Sequence, residues 1–246
     1  AYKNYIEWMA TTIQENSEAV LEAQESWRKD ISITQEVSWY LKEFKISDEV
    51  ISSLSNLSET NPDTFFQGLY NTLEEQWKSP LEIKDILLEI SKKIEILYKE
   101  IALQAKTEAE NLEWAEQKDI DILEQLWYIK EGLLNTDKIG IEFSDYILSL
   151  NEKDTDKLHS KEYILPFLEK LGIPQTVHEK IIKAIIKAYK AWKSEKRRSI
   201  IEESSPDDLP ELVDKGLEER AKAMMLEDIE NWNNIFDYTT APSSES

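Results

Sequence analysis

Residues 81–131 read LEIKDILLEISKKIEILYKEIALQAKTEAENLEWAEQKDIDILEQLWYIKE and contain no Gly and no Pro. The apolar positions Ile83, Leu87, Ile90, Ile94, Leu97 and Ile101 alternate in steps of four and three. They resume at Leu112, Ala115, Ile122, Leu126, Ile129 and Leu133, with Asp119 occupying one seam position. Such steps place the apolar side chains on one face of a helix, whereas a strand would alternate every second residue. Joining the halves takes two successive four-residue steps through Leu97, Ile101 and Ala105, a stutter that locally unwinds a left-handed coiled coil. The expectation is one heptad-patterned helix over 81–134, about 50 residues and roughly 75 Å long. A helical hairpin turning within Lys106 to Asn111 is the alternative.

On either side of this stretch nearly every segment carries the same period. Ile6, Met9, Ile13, Val20, Ala23 and Trp27 make an N-terminal amphipathic stripe, and Val37, Tyr40, Leu41 and Phe44 make another. Ser47-Asp48-Glu49 reads as a cap and acidic first turn for a short helix with Val50, Ile51 and Leu54. Asn61-Pro62 starts a helix expected to bury Phe65, Phe66, Leu69, Leu73 and Trp77. Beyond 134, turn-forming residues lead to a short helix with Phe143, Tyr146, Ile147 and Leu150, then a polar connector over 151–160. A helix containing Pro166 stops at Gly172, with Pro174 just beyond, and a strong helix follows over 175–201. The Ser204–Pro210 stretch breaks the chain before a last amphipathic helix with Leu217, Ala221, Met224, Met225, Ile229 and Trp232, and 239–246 reads as a disordered tail. The fold class is therefore all-α, an elongated bundle on the long helix. Its expected parts are a helical body over 1–150, a C-terminal unit over 160–201, an acidic docking or packing segment over 202–238, and the tail.

Composition limits the chemistry. The chain has no Cys, five Gly and two His, which removes disulfides, thiol nucleophiles and Cys-ligated metals and leaves Gly-rich phosphate loops poorly supported. With 29 basic and 50 acidic residues the formal charge is −21, which argues against a general nucleic-acid or anionic-membrane coat and favours a basic or apolar partner. The charge is segregated. Residues 175–201 carry +6, residues 202–246 carry −10, and residues 1–174 carry −17. Lys180, Lys183, Lys187 and Lys190 form one stripe on the basic helix, and Arg197 and Arg198 follow. An ordinary amphipathic helix with solvated lysines accounts for this stripe, as does a docking face for an acidic partner. Leu226, Ile229, Trp232 and Phe236 in the acidic terminal segment can pack on the body or serve as a docking peptide, and that segment can shield the basic helix until a partner displaces it.

Two further constellations have chemical content. Asp156 and His159 lie one turn apart, and His178 opens the basic helix, but neither His has an obvious catalytic partner in the sequence. Glu113-x-x-Glu116 followed by Glu142-x-x-Asp145 resembles the motif of the all-α nucleoside-triphosphate pyrophosphatases. That resemblance implies four acids on two helices holding Mg²⁺ against a triphosphate. The expected function is nevertheless non-enzymatic and without a cofactor: a helical protein–protein interaction module, as scaffold, adaptor, inhibitor or regulatory subunit. Its partner sites would be the basic helix and the terminal apolar residues. Its partners would be proteins, with a homodimer as one way to cover the long seam, and nucleic acid only locally through 175–201. The pyrophosphatase and an amphipathic protein coating a granule or membrane surface are the alternatives. No signal peptide or spanning segment is legible, so the expected location is cytoplasmic.

Overall fold

The side chains of Asn61, Ser79 and Asn135 cap three of the helix starts in the computed structural model, which describes residues 32–150, 157–231 and 233–239. These residues are helical almost throughout, with one two-stranded hairpin, so the all-α class holds. The chain divides into two units, Ala1–Thr60 and Asn61–Ser246, and the boundary expected near 150–160 lies inside the second. In the first unit, helix α1 (Ile33–Lys42) packs on helix α2 (Asp48–Thr60), and Ile33, Val37, Leu41, Ile51 and Leu54 are buried. The amphipathic stripe from Ile6 to Trp27 lies outside the described residues.

The second unit opens with helix α3 (Pro62–Glu75). The Asn61 side chain accepts the Thr64 amide at 3.2 Å, and Pro62 occupies the first turn, where its missing N–H costs nothing. Phe65, Phe66, Leu69 and Leu73 are buried as their spacing predicts, but Trp77 is 95% exposed. The helix ends at Glu75, and Trp77 takes a left-handed backbone with φ of 61°, so the four-residue step from Leu73 no longer returns to the same face. Helix α4 (Pro80–Glu110) then begins with a reciprocal capping box between Ser79 and Glu82.

α4 is shorter than the expected helix over 81–134. It stops at Glu110 because Asn111 turns to an extended backbone and its side-chain carbonyl accepts the Glu113 amide at 3.0 Å, a local bond that competes with the next helical turn. Helix α5 (Gln117–Gln125) follows, and strands β1 (Ile129–Lys130) and β2 (Leu133–Leu134) pair antiparallel in the register Ile129 with Leu134 and Lys130 with Leu133. Glu131 and Gly132 connect them with φ of 55° and 80°, the double positive φ of a two-residue type I′ turn. An apolar pattern of the right period therefore ran across two breaks set by side-chain and turn chemistry.

Helix α6 (Thr136–Leu148), capped by Asn135, precedes helix α7 (Lys161–Lys170), which keeps Pro166 within it. Gly172, at φ 73°, closes α7 as expected, its amide and that of Ile173 bonding back to Glu169 and Leu168. Helix α8 (Gln175–Glu203) then runs against α4 along its length. The approach is lined by small residues, with Ala102, Ala105 and Ala109 of α4 and Ala184, Ala188 and Ala191 of α8 all buried. The α4 seam residues Ile83, Leu87, Ile90 and Ile94 are buried too.

After α8 the chain passes through a 3₁₀ turn (Pro206–Asp208) and a π turn (Leu212–Gly216) into helix α9 (Leu217–Glu230) and a final 3₁₀ turn (Ile235–Thr239). Leu217, Ala221, Met225, Ile229, Ile235 and Phe236 are buried, and both α9 and the last turn pack on α8. The last turn also packs on α6 at Gly140, where an added Cβ would overlap Asn234 Oδ1 and lie 2.9 Å from Phe236 Cδ2. Thr239, expected in the tail, is 1% exposed, and residues 240–246 lie outside the described set.

Candidate interaction surface

The cations of α8 turn largely toward acids of their own unit. Arg198 donates to Glu95 of α4 at 2.8 Å and also pairs with Glu202. Lys99 of α4 joins the same cluster, 2.8 Å from Glu95 and 2.7 Å from Glu195. Burial works against the Lys99 charge, but the two carboxylates outweigh it and hold its pKa above the ordinary lysine value. Arg197 is buried and pairs with Glu218 of α9 at 2.9 Å, and Lys193 reaches the same carboxylate. Lys183 meets Glu108 at 3.0 Å, and Lys180 sits over the Trp114 ring at 5.8 Å. Lys187 and Lys190 are half-buried.

Asp228 fastens the terminal segment to α8. Its carboxylate is 2.6 Å from Lys196 Nζ and accepts Trp192 Nε1 at 2.9 Å and the Tyr238 hydroxyl at 2.6 Å. Burial alone would raise its pKa, but these donors outweigh it and hold the group below the ordinary aspartate value. Burial and the adjacent Asp228 charge push Tyr238 well above the usual phenol range, which keeps it a donor. Among the expected partner residues of this segment, Ile229 and Phe236 are 2% and 1% exposed and Leu226 is half-buried, while Trp232 lies outside the described residues. A partner reaches Arg197, Ile229 or Phe236 only after the terminal segment leaves α8.

The candidate chemical groups are dispersed. Glu113 and Glu116 lie in the connector between α4 and α5 rather than on a helix, and Glu142 on α6 accepts the Tyr128 hydroxyl. Among the described residues no three acidic or histidine side chains converge on a position that could hold a metal ion. Asp119, at its seam position, is buried and accepts Thr176 Oγ1 at 2.6 Å. His178 is buried with Nε2 2.7 Å from the Ile173 carbonyl, and His159 stacks on Tyr189. Asp156 lies outside the described residues, so the expected one-turn pair with His159 does too.

Among the large apolar side chains that the second unit exposes, two tryptophans are the most accessible. Trp77 and Trp127 are 95% and 80% exposed, and both sit one residue past a helix C-cap with φ near 60°, at 61° and 62°. At each end the Trp amide and the next one bond back into the helix, Trp77 to Glu74 with Lys78 to Leu73, and Trp127 to Glu124 with Tyr128 to Leu123. This is the Schellman arrangement that Gly172 makes in α7, built here with the bulkiest side chain in a conformation that favours glycine. The helical period places Trp77 in the core and says nothing of Trp127. The legible signal at the first is Ser79-Pro80, which starts a new helix only two residues on and forces a chain reversal at Trp77. Ile122 and Leu133, 40% and 48% exposed, flank Trp127 in sequence. In the first unit Trp39 is 73% exposed and lines an open cleft between α1 and α2 of about 830 Å³.

No described helix is long and apolar enough to cross a membrane. Comparison with family models, with curated proteins and with solved structures gives no match.

Proposed function

We propose that this chain is a non-enzymatic helical module that works by binding protein partners, as a scaffold, adaptor, inhibitor or regulatory subunit. The observation that carries the reading is Trp127, a large aromatic held 80% exposed on a backbone that disfavours it. Large exposed aromatics do little for folding and are the side chains that most often anchor protein interfaces. The ion pairs of α8 support the same reading from the other side, because cations already matched by Glu95, Glu108, Glu218 and Asp228 have less left to offer a polyanion. The accessible chemistry is then acidic and aromatic, which suits a protein surface better than a nucleic acid.

Affinity capture with the full chain in its native host, followed by binding of the purified captured protein, tests this. A saturable complex of fixed stoichiometry is the expected outcome. Pyrophosphate release from a nucleotide panel, lost in Glu113→Ala or Asp145→Ala, with no protein retained, would overturn it and favour the pyrophosphatase.

A further inference from the structure

Between α4 and α6 the chain gathers exposed apolar side chains and negative charge in one short stretch. Trp114, Ile122, Trp127 and Leu133 are 36%, 40%, 80% and 48% exposed. The exposed acids of the same stretch are Glu113, Glu116, Asp121, Glu124 and Glu131, against Lys118, paired with Glu116 at 2.6 Å, and Lys130, while Lys138 of α6 donates to the Leu126 and Trp127 carbonyls at 3.2 and 3.5 Å. Lysines of this chain lie over two neighbouring rings: Lys180 over Trp114 at 5.8 Å and Lys138 over Tyr128 at 4.3 Å. Among the described residues the Trp127 ring has no such cation and no stacking partner. An exposed indole in a stretch of net negative charge attracts a cation twice over, through the ring quadrupole and through the excess of acids in that stretch.

We infer that this surface docks a basic amphipathic segment of a partner protein. An Arg or Lys of the segment lies over Trp127 and its aliphatic side chains cover Ile122 and Leu133. The inference rests on the binding-module reading and assigns that module its surface and the charge of its partner. The backbone supports it independently, since a glycine at position 127 would close α5 without strain, as Gly172 closes α7.

The test is fluorescence anisotropy of the full chain with a labelled helical peptide of Leu, Lys and Arg, beside a matched peptide carrying Glu at the basic positions. The basic peptide alone should bind, more weakly at high salt, and should shift tryptophan emission. Trp127→Gly should weaken it by about tenfold or more. So should the exposed double reversal Asp121→Lys with Glu124→Lys, whereas Trp77→Gly should leave binding unchanged. Unfolding midpoints of the variants, expected at or above that of the parent for Trp127→Gly, separate loss of the site from loss of the fold. Binding of the basic peptide by Trp127→Gly as tight as by the parent, equal binding of the acidic peptide, or a self-association that Trp127→Gly disperses would each overturn the assignment. A native partner bound alike by the parent and Trp127→Gly would leave the binding function standing and remove only this surface. Absence of any protein partner would remove both.

Discussion

Trp77 and Trp127 concentrate the conflict between stability and surface chemistry in single residues. An L-residue in the left-handed helical region costs about 1–2 kcal/mol relative to its right-handed conformation, through the approach of Cβ to the backbone carbonyl. At 95% exposure Trp77 recovers almost none of this by burial. Trp77→Gly should therefore stabilise the fold by about 1 kcal/mol, read as a rise in the urea midpoint at unchanged slope. A destabilised variant would mean that the indole packs in solution. The sequence led to the opposite placement at this position because periodicity assumes that the helix continues. Where a helix stops, the next apolar residue lies wherever the reversing backbone points it.

At the scale of elements, the helix boundaries that were legible are those written in strong local chemistry. Asn61-Pro62, Ser79-Pro80 and Gly172 with Pro174 each specify a start or a stop whatever surrounds them. Asn111 was not legible, since an asparagine breaks a helix only when its side chain captures a nearby amide, as it does at Glu113. Glu131 was equally silent, because its positive φ is imposed by the hairpin. The segregation of charge was plain in the sequence, but the pairing was not: Arg198 meets an acid 103 residues away and Lys183 one 75 residues away. Asp228 gives this pairing a pH dependence. Its folded pKa lies below the ordinary value of about 4, so its contribution is complete above that pH and is lost as pH falls through the folded value. Asp228→Asn should cost roughly 2–4 kcal/mol at neutral pH. Stability measured by urea unfolding across the acid range should fall less steeply in the variant than in the parent. Identical profiles would show that Asp228 does not carry the attachment of α9 and the last turn to α8.

At the scale of the whole molecule, the net charge of −21 resolves into cations used inside the second unit and acids left in excess. The terminal segment bears on how that excess is presented. Met225, Ile229, Ile235 and Phe236 are buried at 0–2%, so its removal would expose core as well as uncover lysines. At about 1.5–3 kcal/mol for each large apolar side chain, a shield that swings away must recover that burial on its partner. A fixed cover over α8, with binding at an exposed aromatic surface elsewhere, avoids that cost, and for this reason the proposed function is placed at Trp127 rather than on the lysine stripe. The most direct measurement is a calorimetric titration of the purified native partner into the full chain, repeated with Trp127→Gly. A saturable, salt-sensitive heat that is weakened by the substitution while the fold is unchanged is the predicted result. A partner-free chain that instead turns over a nucleotide would contradict the account.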